Sequence, residues 1–403
     1  GTSLTPKDSP WVTNAPKRLA PRRRLAHKPR LAPATDKVAL FNAKHAPQTP
    51  FLLVDLGMIA DNYRALRRTL PDATIYYAVK ANPAPEVVRL LVGLGSSFDV
   101  ASRGEIELVL DAGAEPETIS FGNTIKKERD IAWAFEHGVR LFAFDSEEEL
   151  LKLARSAPGA KVFCRLLTSC DGAEWPLSRK FGCEEDMAYD LLRKARELGL
   201  EPYGVSFHVG SQQTRLDQWG LTLKKTAALF AALKKVGISL RMANIGGGLP
   251  AHYRDPIAPV DAYAAAITQA LADSFGSEIP QIITEPGRSL VGDSGTIEAE
   301  VVLISKKSYT EDVRWVYLDI GKFGGLAETH DEAIKYRIEV VGKKGPTGAV
   351  ILAGPSCDSV DILYEKFQYQ LPLSLKVGDR VRIHATGAYT SSYASVGFNG
   401  FAP

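Results

Sequence analysis

The chain has 403 residues, of which 45% are hydrophobic and 24% charged, and it contains four cysteines. This is the composition of an ordinary globular protein, and the length suits two or three domains. The formal net charge of +2 conceals a basic excess in residues 1–35. The remainder is slightly acidic, which argues against a nucleic-acid-binding body. Because no stretch reaches about 18 apolar residues, neither a transmembrane helix nor a membrane partner is predicted.

The first 36 residues predict a basic, disordered tail rich in proline and alanine. The tail lacks the hydrophobic segment of a secretory signal, although its arginines leave a transit peptide as an alternative. Cysteine spacing shows no CxxC pair and no disulfide framework, which favours a reducing cytoplasm, and no metal site is predicted. The cysteines are Cys164, Cys170, Cys183 and Cys357.

Strands and helices alternate from residue 49 to about residue 290. A strand-like segment at 49–55 and a helical segment at 58–70 come first. Apolar strands are then predicted at 74–79, 97–100, 118–121, 141–144, 162–167, 204–209, 242–245 and 282–284. Helical spacing is found at 103–112, 126–136, 147–155, 185–198, 216–235 and 260–274. Eight strands alternating with helices predict an α/β fold, a (β/α)8 barrel of the TIM type, with an open doubly wound sheet as the alternative.

Beyond residue 290 the helical pattern stops. The segments at 296–304, 313–319, 336–342, 348–354 and 380–385 are β-rich and separated by Gly, Lys and Pro turns. The sequence therefore predicts a tail at 1–36, a barrel at 37–290 and a C-terminal all-β domain at 291–403. The strand at 49–55 is a candidate member of the β domain.

Polar residues follow the predicted barrel strands at their carboxyl ends. In a barrel these ends meet at one rim, whereas helix caps alone would not account for the whole set. The residues are Lys80, Asp99, Asn123, Asp145, Arg165, His208, Gly246, Gly247, Gly248 and Glu285. The sequence therefore predicts a functional site at this rim and favours the barrel over the open sheet.

Three features of the rim indicate a phosphate-bearing ligand. The segment 244–248 is a strand ending in three glycines, whose backbone amides can approach an anion closely. Arg288, in the sequence Glu-Pro-Gly-Arg at 285–288, can pair with a phosphate. Glu285 beside that phosphate needs a cation, and the pyridinium nitrogen of pyridoxal 5'-phosphate (PLP) is such a cation.

Lys80 and His208 fit the same ligand. A lysine surrounded by apolar side chains loses solvation, so we expect its neutral, nucleophilic amine to be favoured. His208 can stack on a flat ring. Taken singly, a lysine that merely extends to solvent and a structural histidine are the alternatives.

Seven motifs in this chain are similar to those of the fold-type III PLP-dependent decarboxylases of basic amino acids, the ornithine/lysine decarboxylase family. The resemblance covers residues 49–403. The motifs are YAVKAN (77–82), FDVAS (98–102), SFHVGS (206–211), GGG (246–248), EPGR (285–288), GPSCDSVD (354–361) and GAYT (387–390).

The resemblance implies a role for each matching residue. Lys80 would hold PLP as a Schiff base, His208 would stack on the ring, and Glu285 would keep the ring nitrogen protonated. Asp99 and Arg165 would support the lysine and the ring. The phosphate would be bound by Ser211, Gly246, Gly247, Gly248, Gly287, Arg288 and Tyr389.

The resemblance also implies a homodimer with shared active sites. Cys357, as proton donor after CO2 leaves, and Asp358, facing the distal amine of the substrate, would come from the second subunit. Lys180 and Asp361 match a pair that bridges subunits in relatives.

The expected reaction is decarboxylation of ornithine, lysine or both, to putrescine and cadaverine. The segment 317–328 resembles that of bacterial enzymes which accept both amino acids. Asp319 stands one residue before the position of the aspartate in eukaryotic ornithine decarboxylases, which would turn it to the other face of a strand. Glu328 is a further candidate for the amine site, with a solvated helix residue as the alternative.

Alanine racemases share an AVKAN-like lysine, but they lack the SFHVGS and EPGR motifs. Three other functions compete with this expectation. Diaminopimelate decarboxylase shares the lysine, histidine, glycine and EPGR motifs, but it normally has a glutamate where this chain has Asp358. A non-catalytic PLP-binding barrel is the second alternative, and the 296–403 region and Cys357 argue against it. RNA association through the basic tail is the third, and it rests on charge alone.

Overall fold

A computed structural model describes residues 35–169, 172–175 and 179–394. The predicted tail therefore lies outside the described residues, apart from its last two, and so does Cys170. In an N-terminal unit, residues 1–45, the described residues form the helix α1 (Thr35–His45). All other elements belong to a second unit, residues 46–403.

The second unit alternates strands and helices before it becomes all β. Its strands are β1 (Phe51–Val54), β2 (Ala73–Ala78), β3 (Ser97–Val100), β4 (Ile119–Phe121), β5 (Leu141–Phe144), β6 (Lys161–Arg165), β7 (Ala173–Trp175), β8 (Glu201–Ser206), β9 (Ser211–Gln213), β10 (Met242–Asn244), β11 (Gln281–Thr284), β12 (Gly295–Ser305), β13 (Arg314–Leu318), β14 (Ile338–Val340), β15 (Thr347–Ala353), β16 (Ile362–Pro372) and β17 (Arg380–His384). Its helices are α2 (Leu56–Thr69), α3 (Pro85–Gly93), α4 (Arg103–Asp111), α5 (Glu128–Glu136), α6 (Glu147–Ser156), α7 (Glu185–Glu197), α8 (Gln218–Lys234), α9 (Val260–Phe275) and α10 (Arg288–Val291). Short 3-10 helices span Val79–Ala81, Pro116–Thr118, Gly292–Ser294, Lys322–Gly324, Ala327–Glu332 and Ser391–Tyr393.

Eight strands close into a parallel barrel. Their order is β2-β3-β4-β5-β6-β8-β10-β11, and β11 returns to pair with β2. Side chains alternate across the strands: Tyr76 packs inside the barrel with Phe163 and Ile283, whereas Tyr77 belongs to the larger core beneath the helices. The barrel interior is therefore filled with side chains, and a ligand site must lie at one end. The predicted (β/α)8 fold is confirmed.

Serine and aspartate residues set the start of several helices that cover the barrel. Asp55 accepts a hydrogen bond from the Met58 amide at the start of α2, and Ser102 and Ser146 do the same for α4 and α6. Asp145, the predicted rim residue before Ser146, accepts a hydrogen bond from the Gly182 amide at 2.7 Å. Asp145 therefore anchors a loop.

A separate seven-stranded sheet forms the second domain. The order is β14-β17-β12-β13-β15-β16, and β1 pairs with β12 in antiparallel register. Its own core includes Tyr253, Val316, Leu352 and Val381. The predicted β-rich C-terminal domain is thus present, and β1 belongs to its sheet although the barrel follows it in the chain.

Some boundaries differ from the prediction. The strand expected to run through His208 ends at Ser206, where the chain turns toward Gly210, whose φ is +96°. β2 ends at Ala78, so that Lys80 lies on the short 3-10 helix Val79–Ala81. β16 was not expected, because its many polar residues obscure the alternation. Among the described residues, no helix combines the length and apolarity needed to cross a membrane.

Candidate active site

A cavity of about 200 Å³ opens at the carboxyl ends of the barrel strands. Eleven of the twelve residues predicted to bind the cofactor line it. They are Lys80, Asp99, Arg165, His208, Ser211, Gly247, Gly248, Glu285, Gly287, Arg288 and Tyr389. The twelfth, Gly246, is not among the lining residues, and its amide donates to the side-chain oxygen of Asn244 at 2.9 Å. Gly246 therefore shapes the turn and has its N–H already bonded.

Lys80 projects into the cavity from the turn that follows β2. The turn is fixed from both sides: the Ala78 amide donates to Pro286 O at 3.0 Å, and the Tyr389 amide donates to Ala81 O at 2.8 Å. The pKa of Lys80 is raised, because the interactions with Tyr389 and then Asp99 outweigh the burial that would lower it. The expectation that burial favours the neutral amine is therefore wrong for the ligand-free site, where Lys80 is an ammonium.

Asp99 and Glu285 bring two carboxyl groups together on one wall of the cavity. The space beside them exists because residue 122 is glycine: a Cβ there would collide with the Asp99 carboxyl and lie 3.4 Å from Glu285 Oε2. Burial, and then the neighbouring Glu285, raise the pKa of Asp99 well above its usual range. The two carboxyl groups therefore lie side by side on the cavity wall, close enough for each to affect the other.

His208 is an uncharged ring at the cavity wall. Burial, Arg165 and Lys80 together hold its pKa well below the usual value. Its Nδ1 accepts a hydrogen bond from the Gly210 amide at 2.9 Å, which assigns the ring proton to Nε2. A neutral, flat side chain is therefore presented to the cavity.

Glycines line one end of the cavity, where side chains would not fit. A Cβ on Gly247 would lie 2.6 Å from Glu285 O, and one on Gly248 would lie 2.6 Å from Gly210 O. A Cβ on Gly287 would lie 2.9 Å from the Ala81 Cβ. These positions leave backbone open to the cavity, which is the environment that a phosphate group needs. Together with Lys80 and the carboxyl groups of Asp99 and Glu285, they fit PLP.

Arg288 forms an ion pair with Glu328, a residue that the sequence predicts to bind the substrate amine. Its Nη1 and Nη2 donate to Glu328 Oε1 and Oε2 at 2.6 and 2.7 Å. Glu328 is buried and does not line the cavity. We therefore revise the expectation that Glu328 receives the substrate amine, because its two oxygens already face the guanidinium.

The other predicted substrate residues lie away from this cavity. Asp319 is buried, and its Oδ1 accepts a hydrogen bond from the Glu300 amide at 2.8 Å. Cys357 and Asp358 are exposed on the loop between β15 and β16. Asp361 is buried in the same loop and accepts hydrogen bonds from the Ser356 hydroxyl at 2.6 Å and the Lys322 amide at 2.9 Å. The cavity of one chain is thus built without Cys357 and Asp358.

Several residues of the site were not singled out from the sequence. Asn82 donates to Gly387 O at 3.0 Å and so ties the lysine turn to the segment that carries Tyr389. Phe181 lines the cavity with its ring 4.9 Å from the Arg165 guanidinium carbon. Glu105 also lines it, and its Oε1 accepts a hydrogen bond from the Ala101 amide at 2.9 Å. Asn82 closes the YAVKAN motif, which was a usable signal, whereas Phe181 and Glu105 had none.

A lysine, a neutral histidine, a carboxyl pair and a glycine-lined pocket, at the rim of a barrel that carries a β domain, define a PLP enzyme of the barrel type. Residues 56–292 match the family model described as "Pyridoxal-dependent decarboxylase, pyridoxal binding domain". The chain belongs to this family of pyridoxal-dependent decarboxylases, and its cofactor is PLP.

Relatives agree in sequence and in structure. A lysine/ornithine decarboxylase from Selenomonas ruminantium is 36% identical over 362 residues, which are 89% of each chain. The crystal structure of SrLDC in complex with PLP and cadaverine is 33% identical, with a TM-score of 0.81 over 89% of this chain and 90% of that one. A lysine/ornithine decarboxylase from Vibrio vulnificus, solved with cadaverine, is 32% identical, with a TM-score of 0.81 over 90% and 96% of the two chains.

Proposed function

We propose that this chain decarboxylates L-ornithine, L-lysine or both, forming putrescine and cadaverine in polyamine biosynthesis. The observation that carries the proposal is the convergence of Lys80, His208 and Glu285 with the glycine-lined end of one cavity. Relatives with this architecture are named lysine/ornithine decarboxylases, and two structures of the Vibrio enzyme contain cadaverine and putrescine.

When bound, PLP supplies an electron-accepting pyridinium ring for the electron pair that CO2 leaves behind. Glu285 stands on the wall where an ionised carboxylate can keep the ring nitrogen protonated. Asp99 lies beside Glu285 on that wall, and burial followed by the neighbouring Glu285 raises the pKa of Asp99 well above its usual range. His208 offers an uncharged face for stacking, so it does not compete with the ring for the proton.

Lys80 is the residue we assign to covalent attachment of the cofactor. Its ammonium must lose a proton before it can act as a nucleophile. The raised pKa of Lys80 depends first on Tyr389 and then on Asp99, both of which line the cavity. We infer that deprotonation accompanies entry of the cofactor, with Gly247, Gly248, Gly287, Ser211, Arg288 and Tyr389 on the phosphate side.

We further propose a homodimer in which each cavity is completed by a second copy of the chain. Cys357 and Asp358 are exposed and lie outside the cavity of their own chain. Cys357 would donate the proton that replaces CO2, a step for which a positioned donor contributes about 10²–10⁴-fold. Asp358 would face the distal amine, and it is the predicted substrate carboxylate that remains exposed.

A cytoplasmic location completes the proposal. Cys164 and Cys183 are buried with their sulfur atoms 3.5 Å apart, yet both are free thiols. Thiols so close together stay reduced most readily in a reducing compartment.

The test is CO2 release by the purified, PLP-loaded protein, offered ornithine, lysine, arginine and diaminopimelate in parallel. Turnover of ornithine, lysine or both supports the proposal and ranks the two substrates. Turnover of diaminopimelate alone would show that the β15–β16 loop binds the second carboxylate of that substrate. A protein that binds PLP and releases no CO2 from any of the four would favour a binding role.

A further inference from the structure

The guanidinium of Arg288 is clamped by a carboxylate from the β domain. Both oxygens of Glu328 accept hydrogen bonds from Arg288, at 2.6 and 2.7 Å. The two side chains are only 5% and 6% exposed. A bidentate arginine–carboxylate pair fixes the plane of the guanidinium as well as its position. Arg288 therefore reaches the cavity wall with its orientation already set.

Aromatic side chains complete the clamp. The Tyr253 hydroxyl accepts a hydrogen bond from Arg288 Nη1 at 2.8 Å, and the Tyr389 ring lies 4.8 Å from the guanidinium carbon. Tyr253 in turn packs edge-on against Tyr336, with ring centroids 5.6 Å apart, in the core of the β domain. The orientation of Arg288 is thus set mainly from the β-domain side of the site.

Glu328 is itself held by its backbone. It lies on the 3-10 helix Ala327–Glu332, directly after the segment that leaves β13. The Ile334 amide donates to Glu328 O at 3.1 Å, and the Leu326 amide donates to Gly321 O at 3.1 Å. Burial raises the pKa of Glu328, and Arg288 opposes that shift. A carboxylate on a flexible loop would not hold an arginine this way, whereas one on a bonded turn can.

We propose that Glu328 is a positioning residue for the cofactor: it holds Arg288 in the orientation that binds the phosphate of PLP, and so makes PLP affinity depend on the β domain. This inference rests on the proposed placement of the phosphate at the glycine-lined end. An arginine already fixed at both terminal nitrogens loses little further freedom when an anion binds. Without the carboxylate, buried donors of Arg288 lack an acceptor, and the side chain turns toward others.

The test is a double-mutant cycle on PLP affinity, measured by titrating the apoprotein with PLP and following cofactor absorbance. We expect Glu328→Gln, which keeps the shape and removes the charge, to weaken PLP binding about tenfold. In an Arg288→Met background the same substitution should change the affinity less than about twofold, because its effect passes through Arg288. Glu328→Asp retains the charge but is one methylene shorter, and an intermediate loss is expected.

Asp331→Asn is the matched control. Asp331 is an exposed carboxylate on the same segment, and asparagine tolerates its positive φ of 53°. This variant should bind PLP like the unmodified chain. If Glu328→Gln does not fold, PLP affinity is measured for Glu328→Asp instead, in the unmodified and the Arg288→Met backgrounds.

Two results would overturn the inference. One is a Glu328 variant whose PLP affinity is unchanged or tighter, and the other is an equal loss in the presence and absence of Arg288, which would make Glu328 merely structural. Failure of the unmodified chain to bind PLP at all would count against the proposed function instead. Because the readout is cofactor affinity, the identity of the amino acid substrate does not affect the outcome.

Discussion

His208 meets a backbone amide at one ring nitrogen and lies near the cationic side chains of Arg165 and Lys80. Protonation of the ring would cost the Gly210 N–H its acceptor and add a further positive charge beside Arg165 and Lys80. Both effects favour the neutral imidazole, and burial acts in the same direction. The unfolding free energy of the apoprotein should therefore depend on pH through the titration of His208.

Proton linkage gives the direction in which the unfolding free energy changes with pH. An unfolded histidine titrates near pH 6.5, whereas folded His208 titrates well below that value. Below about pH 6.5 the unfolded chain binds the proton and the native chain does not. The unfolding free energy therefore decreases as the pH is lowered, by at most about 1.4 kcal/mol per pH unit. The full stabilising contribution of the neutral His208 ring is present above about pH 6.5. We expect His208→Gln to lose this slope, as measured by urea unfolding of the apoprotein between pH 7.5 and 5.

His252→Gln serves as the control, because His252 is exposed. Its unfolding free energy should follow the same pH course as that of the unmodified chain. An unchanged slope in His208→Gln would show that the native ring is free to take up the proton.

At the scale of elements, the loops that follow β8, β10 and β11 fit together by close backbone contact. The Glu285 amide donates to Gly246 O at 2.8 Å, and the Gln213 amide donates to Gly248 O at 2.8 Å. These loops bring together the glycine-lined end, His208 and Glu285. The glycine run is therefore a packing requirement as well as an anion site.

Gly247→Ala tests this packing. The new Cβ would lie 2.6 Å from Glu285 O, a backbone atom that cannot move without shifting Glu285. We expect PLP affinity to fall at least about tenfold, with a loss of about 1–3 kcal/mol in the unfolding free energy of the apoprotein.

Gly93→Ala is the control for this substitution. Gly93 ends α3, and nothing lies within 4 Å of its missing Cβ. Its stability should stay the same or rise by up to about 1 kcal/mol, since alanine restricts the unfolded chain. Equal behaviour of the two variants would remove the packing argument.

The sequence was informative where a local pattern determines the structure. Alternating apolar strands and helices predicted the barrel, and polar residues after each strand predicted the rim. The pairing of Arg288 with Glu328 could not be predicted, because 40 residues and a domain boundary separate them. The charge state of Lys80 was mispredicted for a related reason: burial alone lowers its pKa, but Tyr389 and Asp99, which raise it, come from other elements.

At the scale of the whole molecule, the barrel and the β domain share the chain in an interleaved way. β1 precedes the barrel yet pairs with β12, and the C-terminal segment returns to the rim, where Tyr389 donates its amide to Ala81 O. This arrangement encloses the cofactor side of the cavity within one chain. It leaves Cys357 and Asp358 exposed on a β-domain loop, outside the cavity they are proposed to serve.

Subunit mixing tests this account most directly. We expect Lys80→Ala and Cys357→Ala chains to be inactive or slow by themselves. The two are unfolded together, refolded with PLP and assayed for CO2 release from the preferred substrate. In random dimers about half are mixed and each carries one intact site, so we expect about one quarter of unmodified activity to return. Recovery at that level supports a decarboxylase whose site joins the barrel of one chain to the β-domain loop of another. No recovery, in mixtures shown to contain mixed dimers, would contradict it.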